Sequence, residues 1–182
     1  TGQEVRYLWQ GRAFQTRLAL IGGFQAENVA VAAGLAIAAG EAPESVLGAL
    51  PRLTGVRGRM QLAATRRNGA AVYVDYAHTP DAIATALQAL RPHVMGRIVI
   101  VFGAGGDRDR TKRPRMAAAA EIGSDICVLT SDNPRSEDPD AIIADAAKGF
   151  ARPKNHATIP DRREAIKVAI ENARDGDIIL VA

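Results

Sequence analysis

The chain has 182 residues, 47% of them hydrophobic and 24% charged, which fits a folded globular protein with one full core and room for part of a second domain. Aromatic residues are only 4%, too few for base-stacking nucleic-acid modules, and a net charge of +3 suits an anionic small ligand. The single cysteine, Cys127, excludes an internal disulfide and a cysteine metal cluster, and no apolar run is long enough to span a bilayer, so a cytoplasmic protein with no membrane or nucleic-acid partner is expected.

In chain order, residues 16–21 alternate and read as a strand, which Gly22-Gly23 breaks. Residues 25–39 read as an Ala-rich helix ended by Gly40, and residues 43–50 as a shorter helix with Pro43 in its first turn. The segment 51–58 (PRLTGVRG) reads as a linker. Residues 60–65 and 71–75 flank Asn68-Gly69, a hairpin signal. Strand 71–75 leads to helix 80–90, with Thr79 as N-cap and Pro80 at its first position. Strand 97–102 leads through a long loop to helix 114–122, with Gly123 as C-cap. Strand 126–130 leads to helix 139–150. A short strand at 157–159 leads to helix 162–173, where Asp161 and Glu164 make a capping-box-like start, and strand 177–182 closes the run. This alternation predicts an α/β fold: a Rossmann-like, mostly parallel sheet with helices on both faces, preceded by a small α+β unit. The linker divides the chain into expected domains 1–55 and 56–182.

The polar motifs fall at the C-terminal ends of the strands, where open α/β sheets bind ligands. The most informative is Ser131-Asp132-Asn133-Pro134-Arg135, which sets an acid, an amide and a guanidinium on one proline-stiffened turn. Arg135 can grip a carboxylate or phosphate with two prongs, although Asp-Asn-Pro is also ordinary turn chemistry. Asp75 ends an apolar strand, either to accept from a ribose or to cap the next turn. His78 has no nucleophile beside it in sequence and reads as a packing or hydrogen-bonding residue. Gly103-Ala104-Gly105-Gly106 lacks full GxGxxG spacing. The charged cluster 107–115 reads mostly as a solvated loop, with Arg113, beside Pro114 at a helix start, the best candidate for an oriented side chain. No GxxxxGK[ST] loop, zinc cluster or GxSxG elbow occurs. The residues by themselves reach an α/β domain for an anionic, nucleotide-linked small ligand, with no metal site.

Four strings occur in order: GRM (58–60), VDYAHTPDA (74–82), VFGAGGDRDRTKRPRM (101–116) and TSDNPRSEDP (130–139). They resemble the C-terminal domain of the Mur ligases, and within that family the members that add meso-diaminopimelate to UDP-N-acetylmuramoyl-L-alanyl-D-glutamate. LIGGFQAENVAVAAGLA (20–36) resembles the end of the family's central ATPase domain.

The resemblance implies ATP-dependent amide formation in peptidoglycan precursor synthesis. ATP and Mg²⁺ would be the cofactors, and UDP-MurNAc-dipeptide, meso-diaminopimelate and ATP the small-molecule substrates of a monomer. A substrate carboxylate would take the γ-phosphoryl group, the incoming amine would attack the acyl phosphate, and phosphate would leave. For the nucleotide it implies Asn28 in an ATPase-domain motif, Arg59 reaching the phosphates, Asp75 on the ribose, and His78 in the same loop. Gln25 stands where the family pattern has a second asparagine. For the incoming amino acid it implies Arg113, Asp132, Asn133 and Arg135, the last two at the distal amino-carboxylate end. Lysine has no distal carboxylate, so Asp-Asn-Pro-Arg favours diaminopimelate.

The family's UDP-binding domain, P-loop, magnesium ligands and modified lysine have no counterpart in these residues, nor has the Gly-Lys-Gly-His-Glu segment that follows the last strand. The chain is therefore expected to be a piece of a longer protein, without catalytic residues and inactive by itself. Two alternatives stand. One is another amide ligase of the superfamily, of the folylpolyglutamate type or a different Mur ligase, against which Asp-Asn-Pro-Arg and Gly-Gly-Asp-Arg-Asp argue. The other is a non-enzymatic nucleotide-binding module.

Overall fold

The computed structural model describes residues 2–152 and 154–182, and the chain divides into two compact units, Thr1–Val56 and Arg57–Ala182. In the first unit β1 (Gln3–Trp9) and β2 (Arg12–Leu18) pair antiparallel, from Gln3 opposite Leu18 to Trp9 opposite Arg12. Gln10 and Gly11 have φ of 47° and 78°, the double positive turn whose twist suits a two-residue hairpin. The expected strand at 16–21 is thus corrected: it starts earlier, stops at Leu18, and has a partner strand that was not anticipated. An isolated ribbon is marginal in water. This one buries Val5, Tyr7, Trp9 and Phe14 against Leu18, Val29, Ala33, Leu47 and Leu50, the last four from or just beyond α1 (Gly23–Ala38) and α2 (Pro43–Ala49). The Tyr7 hydroxyl donates to the Ala26 carbonyl at 2.8 Å.

The second unit runs β3 (Gln61–Thr65), β4 (Ala71–Val74), α3 (Pro80–Leu90), β5 (Ile98–Phe102), α4 (Lys112–Gly123), β6 (Ile126–Leu129), α5 (Pro139–Ala147), β7 (His156–Thr158), α6 (Arg162–Glu171) and β8 (Ile178–Val181). Its sheet has the order β3-β4-β8-β5-β6-β7, with β3 antiparallel to β4 and every other pair parallel. From β4 to β7 the crossovers proceed in one direction; from β7 to β8 the chain returns. Right-handed crossovers then place α3, α4 and α5 on one face and α6 on the other. The packing agrees. Val72, Val99, Val101, Val128, Ile179 and Val181 bury against Ala165, Ala169 and Ala173. The opposite parity, including Tyr73, Ile100, Phe102 and Leu180, is buried as well.

Local chemistry explains the helix ends. Thr79 accepts from the Ala82 N–H at 3.2 Å, Asp138 from Asp140 at 3.0 Å and Asp161 from Glu164 at 2.8 Å. Gly123 is not a C-cap: α4 includes it and the cap is Ser124. Its role is close packing, since a Cβ there would lie 2.7 Å from Leu87 Cδ1 of α3. Cys127 is buried in β6, and burial pushes its thiol up to about 11, so it serves as core. Among the described residues no helix is long and apolar enough to cross a membrane.

Asp177, at the foot of β8, is buried and accepts from the Arg97 side chain at 2.6 Å and from the backbone N–H groups of Arg97 and Arg174 at 2.8 Å each. Burial pushes the carboxyl up, but these donors more than reverse that, so it titrates below the ordinary carboxylate range. A depressed folded pKa means that the stabilisation is complete above the unfolded value of about 4 and is lost as pH falls through the folded one. Asp177→Asn should therefore destabilise the second unit by about 2 kcal/mol at pH 7, a low figure for a buried pair because Arg97 reaches solvent. It should also flatten the loss of stability below pH 4. Denaturant midpoints measured against pH check both.

Candidate functional site

Parallel strands deliver their following loops to one edge of the sheet, and two cavities open there. The first, of about 320 Å³, is lined by Arg57, Gly58, Arg59, Val74, Asp75 and Tyr76. Asp75 Oδ2 accepts from the Met60 N–H at 2.8 Å. The acid therefore reaches back to the segment before β3 and caps nothing downstream; α3 is capped by Thr79. Gly58 and Met60 both have positive φ, 69° and 47°, so this hydrogen bond helps to fix a tight turn. Arg59 lies over the Tyr76 ring with its guanidinium carbon 5.0 Å from the centroid, a cation–π contact that leaves its N–H groups available.

The second cavity, of about 220 Å³, is walled by Tyr76 and His78 from the loop after β4, Gly103, Gly105 and Arg108 from the loop after β5, Lys112 of α4, and Asp132 and Arg135 from the turn after β6. Tyr76 borders both cavities. His78, which the sequence grouped with the nucleotide residues Arg59 and Asp75, lies on this second side. Its Nδ1 is 2.9 Å from the Tyr76 carbonyl oxygen, and its ring packs 4.9 Å from the Tyr76 ring.

The charges around this cavity are sorted. Arg110 and Arg113 are neutralised: Glu137 pairs with both, at 2.8 and 2.6 Å, and Asp145 takes Arg113 at 3.2 Å. Arg108, Lys112 and Arg135 line the cavity, and among the described residues none of them is ion-paired. The first turn of α4 carries no acid and holds Lys112, Arg113 and Arg115 at the positive end of the helix dipole, so its N-terminus adds to the positive potential. Asp132 supplies the carboxylate on the wall, and among the described residues its side chain has no hydrogen-bond or ion-pair partner. The site can thus receive a ligand with carboxylates and an ammonium group together.

The remaining expected residues fall elsewhere. Arg113 is 1% exposed and does not line the cavity; its guanidinium is taken up by Glu137 and Asp145, and among the described residues its Nε has no partner. The bond from Glu137 is the main cause that raises the Arg113 pKa, against the opposing effect of burial. The position therefore holds the loops together from behind. Asn133 turns its Oδ1 to the Arg135 N–H at 3.3 Å, and its carbonyl accepts from Gly106 at 2.9 Å. Asn28 is exposed on α1 of the first unit. Glu137 is the residue that sequence reasoning missed; its only signal was an acid within the string that carries Arg135. Among the described residues no three His, Cys, Asp or Glu side chains are grouped as a metal site requires.

Fold and edge cavities define an α/β domain with a cation-lined cavity beside a second, tyrosine-bordered cleft. The family model described as Mur ligase, glutamate ligase domain, matches residues 58–182, and the chain belongs to the Mur ligase family. It is 50% identical over 184 residues to the UDP-N-acetylmuramoyl-L-alanyl-D-glutamate--2,6-diaminopimelate ligase of Caulobacter vibrioides, covering all of this chain and 37% of that protein. Identity to the ligase of the same name from Bradyrhizobium diazoefficiens is 48%, over 99% of this chain and 36% of the relative. A solved structure of such a ligase, 42% identical, superposes with a TM-score of 0.69 over 98% of this chain and 37% of that one. The pseudomurein peptide ligase type C of Methanothermus fervidus, only 19% identical, shares the fold with a TM-score of 0.78. The chain spans a little over a third of the length of these relatives.

Proposed function

We infer that the chain is the C-terminal part of an ATP-dependent ligase that joins meso-diaminopimelate to UDP-N-acetylmuramoyl-L-alanyl-D-glutamate through an acyl phosphate, in peptidoglycan precursor synthesis. The observation that carries the reading is the cavity of about 220 Å³ where three cations, without an ion-pair partner among the described residues, face the Asp132 carboxylate. Arg135 takes the distal carboxylate of the amino acid and Asp132 its distal ammonium, and Asn133 belongs to the same end, its Oδ1 turned to the Arg135 N–H. Arg108 and Lys112 supply positive potential for the near carboxylate. Holding both ends of the amino acid points its reacting amine at the acyl phosphate, and that positioning is what this domain contributes to the rate. Asp75 and Arg59, in the neighbouring cleft, take the ribose and phosphates of ATP, and His78 stands in the same loop, packed on the Tyr76 ring that borders both cavities. Residues 1–55 belong to the end of the ATPase domain, Asn28 among them. Magnesium belongs with the rest of the ATPase domain. A monomer in the cytoplasm, with these small molecules as its partners, completes the proposal.

Titration calorimetry on the full-length protein tests the reading. Meso-diaminopimelate should bind in the presence of nucleotide, and L-lysine should bind at least about tenfold more weakly, the difference a single charged hydrogen-bonding partner makes. Equal binding of the two would sink it. The 182-residue chain by itself should release no phosphate from ATP with all three substrates present. Substrate-dependent release by this chain would show that the nucleotide machinery is already complete within it.

A further inference from the structure

We propose that Glu137 is a positioning residue for the incoming amino acid: it clasps the loop after β5 to the turn after β6 and so sets where Arg135 points. The inference rests on the reading of the cavity given above. One carboxylate serves three donors. Glu137 Oε1 accepts from the Asp107 N–H and from Arg113, each at 2.6 Å, and Oε2 pairs with Arg110 at 2.8 Å. Asp107 answers from the other side, accepting from the Ser136 hydroxyl at 2.7 Å and the Ser136 N–H at 3.2 Å. Between these two junctions the backbone makes a third: Gly106 N–H donates to the Asn133 carbonyl at 2.9 Å, and Arg135 Nη1 donates to the Gly106 carbonyl. The approach is so close that a Cβ on Gly106 would overlap the Pro134 carbonyl.

The direction of Arg135 is therefore inherited. One of its guanidinium nitrogens is tied to Gly106, and Gly106 is tied through the next peptide to Glu137. Asp107 and Arg135 have φ of 50° and 49°, a left-handed conformation that ordinary residues hold only where the surroundings enforce it. Both lie within the clasp. Glu137 also decides which arginines are free. By occupying Arg110 and Arg113 it leaves the cavity to Arg108, Lys112 and Arg135, so neither of those two guanidiniums competes for the ligand carboxylate.

The test uses steady-state kinetics of the full-length ligase. Glu137→Gln should raise KM for diaminopimelate about tenfold, within the range of a misplacement near 1 Å, with KM for ATP unchanged and kcat little altered. Asp107→Gly keeps the positive φ and removes the other half of the clasp, and should act in the same direction even if Glu137→Gln fails to fold. If Glu137 works through Arg135, Glu137→Gln combined with Arg135→Ala should be no worse for diaminopimelate than Arg135→Ala alone. Additive losses, or equal losses for ATP and diaminopimelate, would overturn the proposal and leave Glu137 a stabilising residue only. Normal diaminopimelate kinetics in Glu137→Gln, with Arg135→Ala impaired, would overturn the clasp but spare the functional reading. Arg135→Ala behaving as wild type would remove both.

Discussion

Arg135→Ala in the full-length ligase should raise KM for meso-diaminopimelate by about 30- to 100-fold, the loss expected when a charged hydrogen-bonding partner of roughly 2–3 kcal/mol is removed. KM for ATP should stay within about twofold, because Arg135 lines the cavity of Asp132 and Lys112 and not that of Arg59 and Asp75. The argument is one of missing partners. Diaminopimelate and lysine differ chiefly by a carboxylate at the far end, and a site discriminates strongly when the wrong ligand leaves a fixed polar group unmatched. Arg135 is such a group: it is exposed to the cavity, unpaired with any acid among the described residues, and held on one side by the Gly106 carbonyl. Arg135→Lys should recover only part of the loss, since a point charge lacks the planar fork. In Arg135→Ala the preference over L-lysine should shrink along with the affinity. Unchanged use of diaminopimelate would make the turn after β6 ordinary turn chemistry, and the substrate assignment would lose its main support.

What the sequence made legible was local. Helix 80–90 was readable to the residue because Thr79 and Pro80 punctuate its start, and that chemistry needs no knowledge of the rest of the fold. The strands of the parallel sheet were readable as short apolar runs at regular intervals. The strand order was not: the insertion of β8 between β4 and β5 depends on how the last crossover packs, and no residue in 177–182 encodes its neighbours. The ribbon β1–β2 was half missed because its turn is Gln10-Gly11 and not the stronger Asn-Gly signal that marked the hairpin at 68–69. At the site the same division holds. Asp132 and Arg135 could be singled out because they share a turn at a strand end. Arg113 could not be judged from its neighbours, for the acids that occupy it, Glu137 and Asp145, lie 24 and 32 residues further on. A basic residue at a helix start looks the same in sequence whether it faces a ligand or a buried carboxylate. His78 was assigned to the nucleotide side because Asp75 is near in sequence, whereas Tyr76 stands between them as a wall bordering both cavities.

The second large effect is expected at Asp75. Its Oδ2 holds the Met60 N–H at 2.8 Å, leaving Oδ1 to accept from a ribose hydroxyl in the cleft shared with Arg59. Asp75→Ala removes both interactions at once: the direct contact, and the anchor of the turn that carries Arg59. In the full-length ligase KM for ATP should rise by about 30-fold or more, the sum of a charged hydrogen bond and a displaced guanidinium. Diaminopimelate, gripped by the turn after β6, should be nearly unaffected. Asp75→Asn separates the two contributions. Its Oδ1 can still accept from Met60, so the turn should stay in place. The ribose then faces an amide N–H that can only donate, so the charged acceptor is lost while Arg59 stays in place, and KM for ATP should rise by only about a third to a half of the alanine effect on a free-energy scale. A larger effect of Asp75→Ala on diaminopimelate than on ATP would remove this acid from the nucleotide cleft. Arg59 would then have to account for the phosphates without it, and Asp75 would be left with one office, holding Met60 in its left-handed turn.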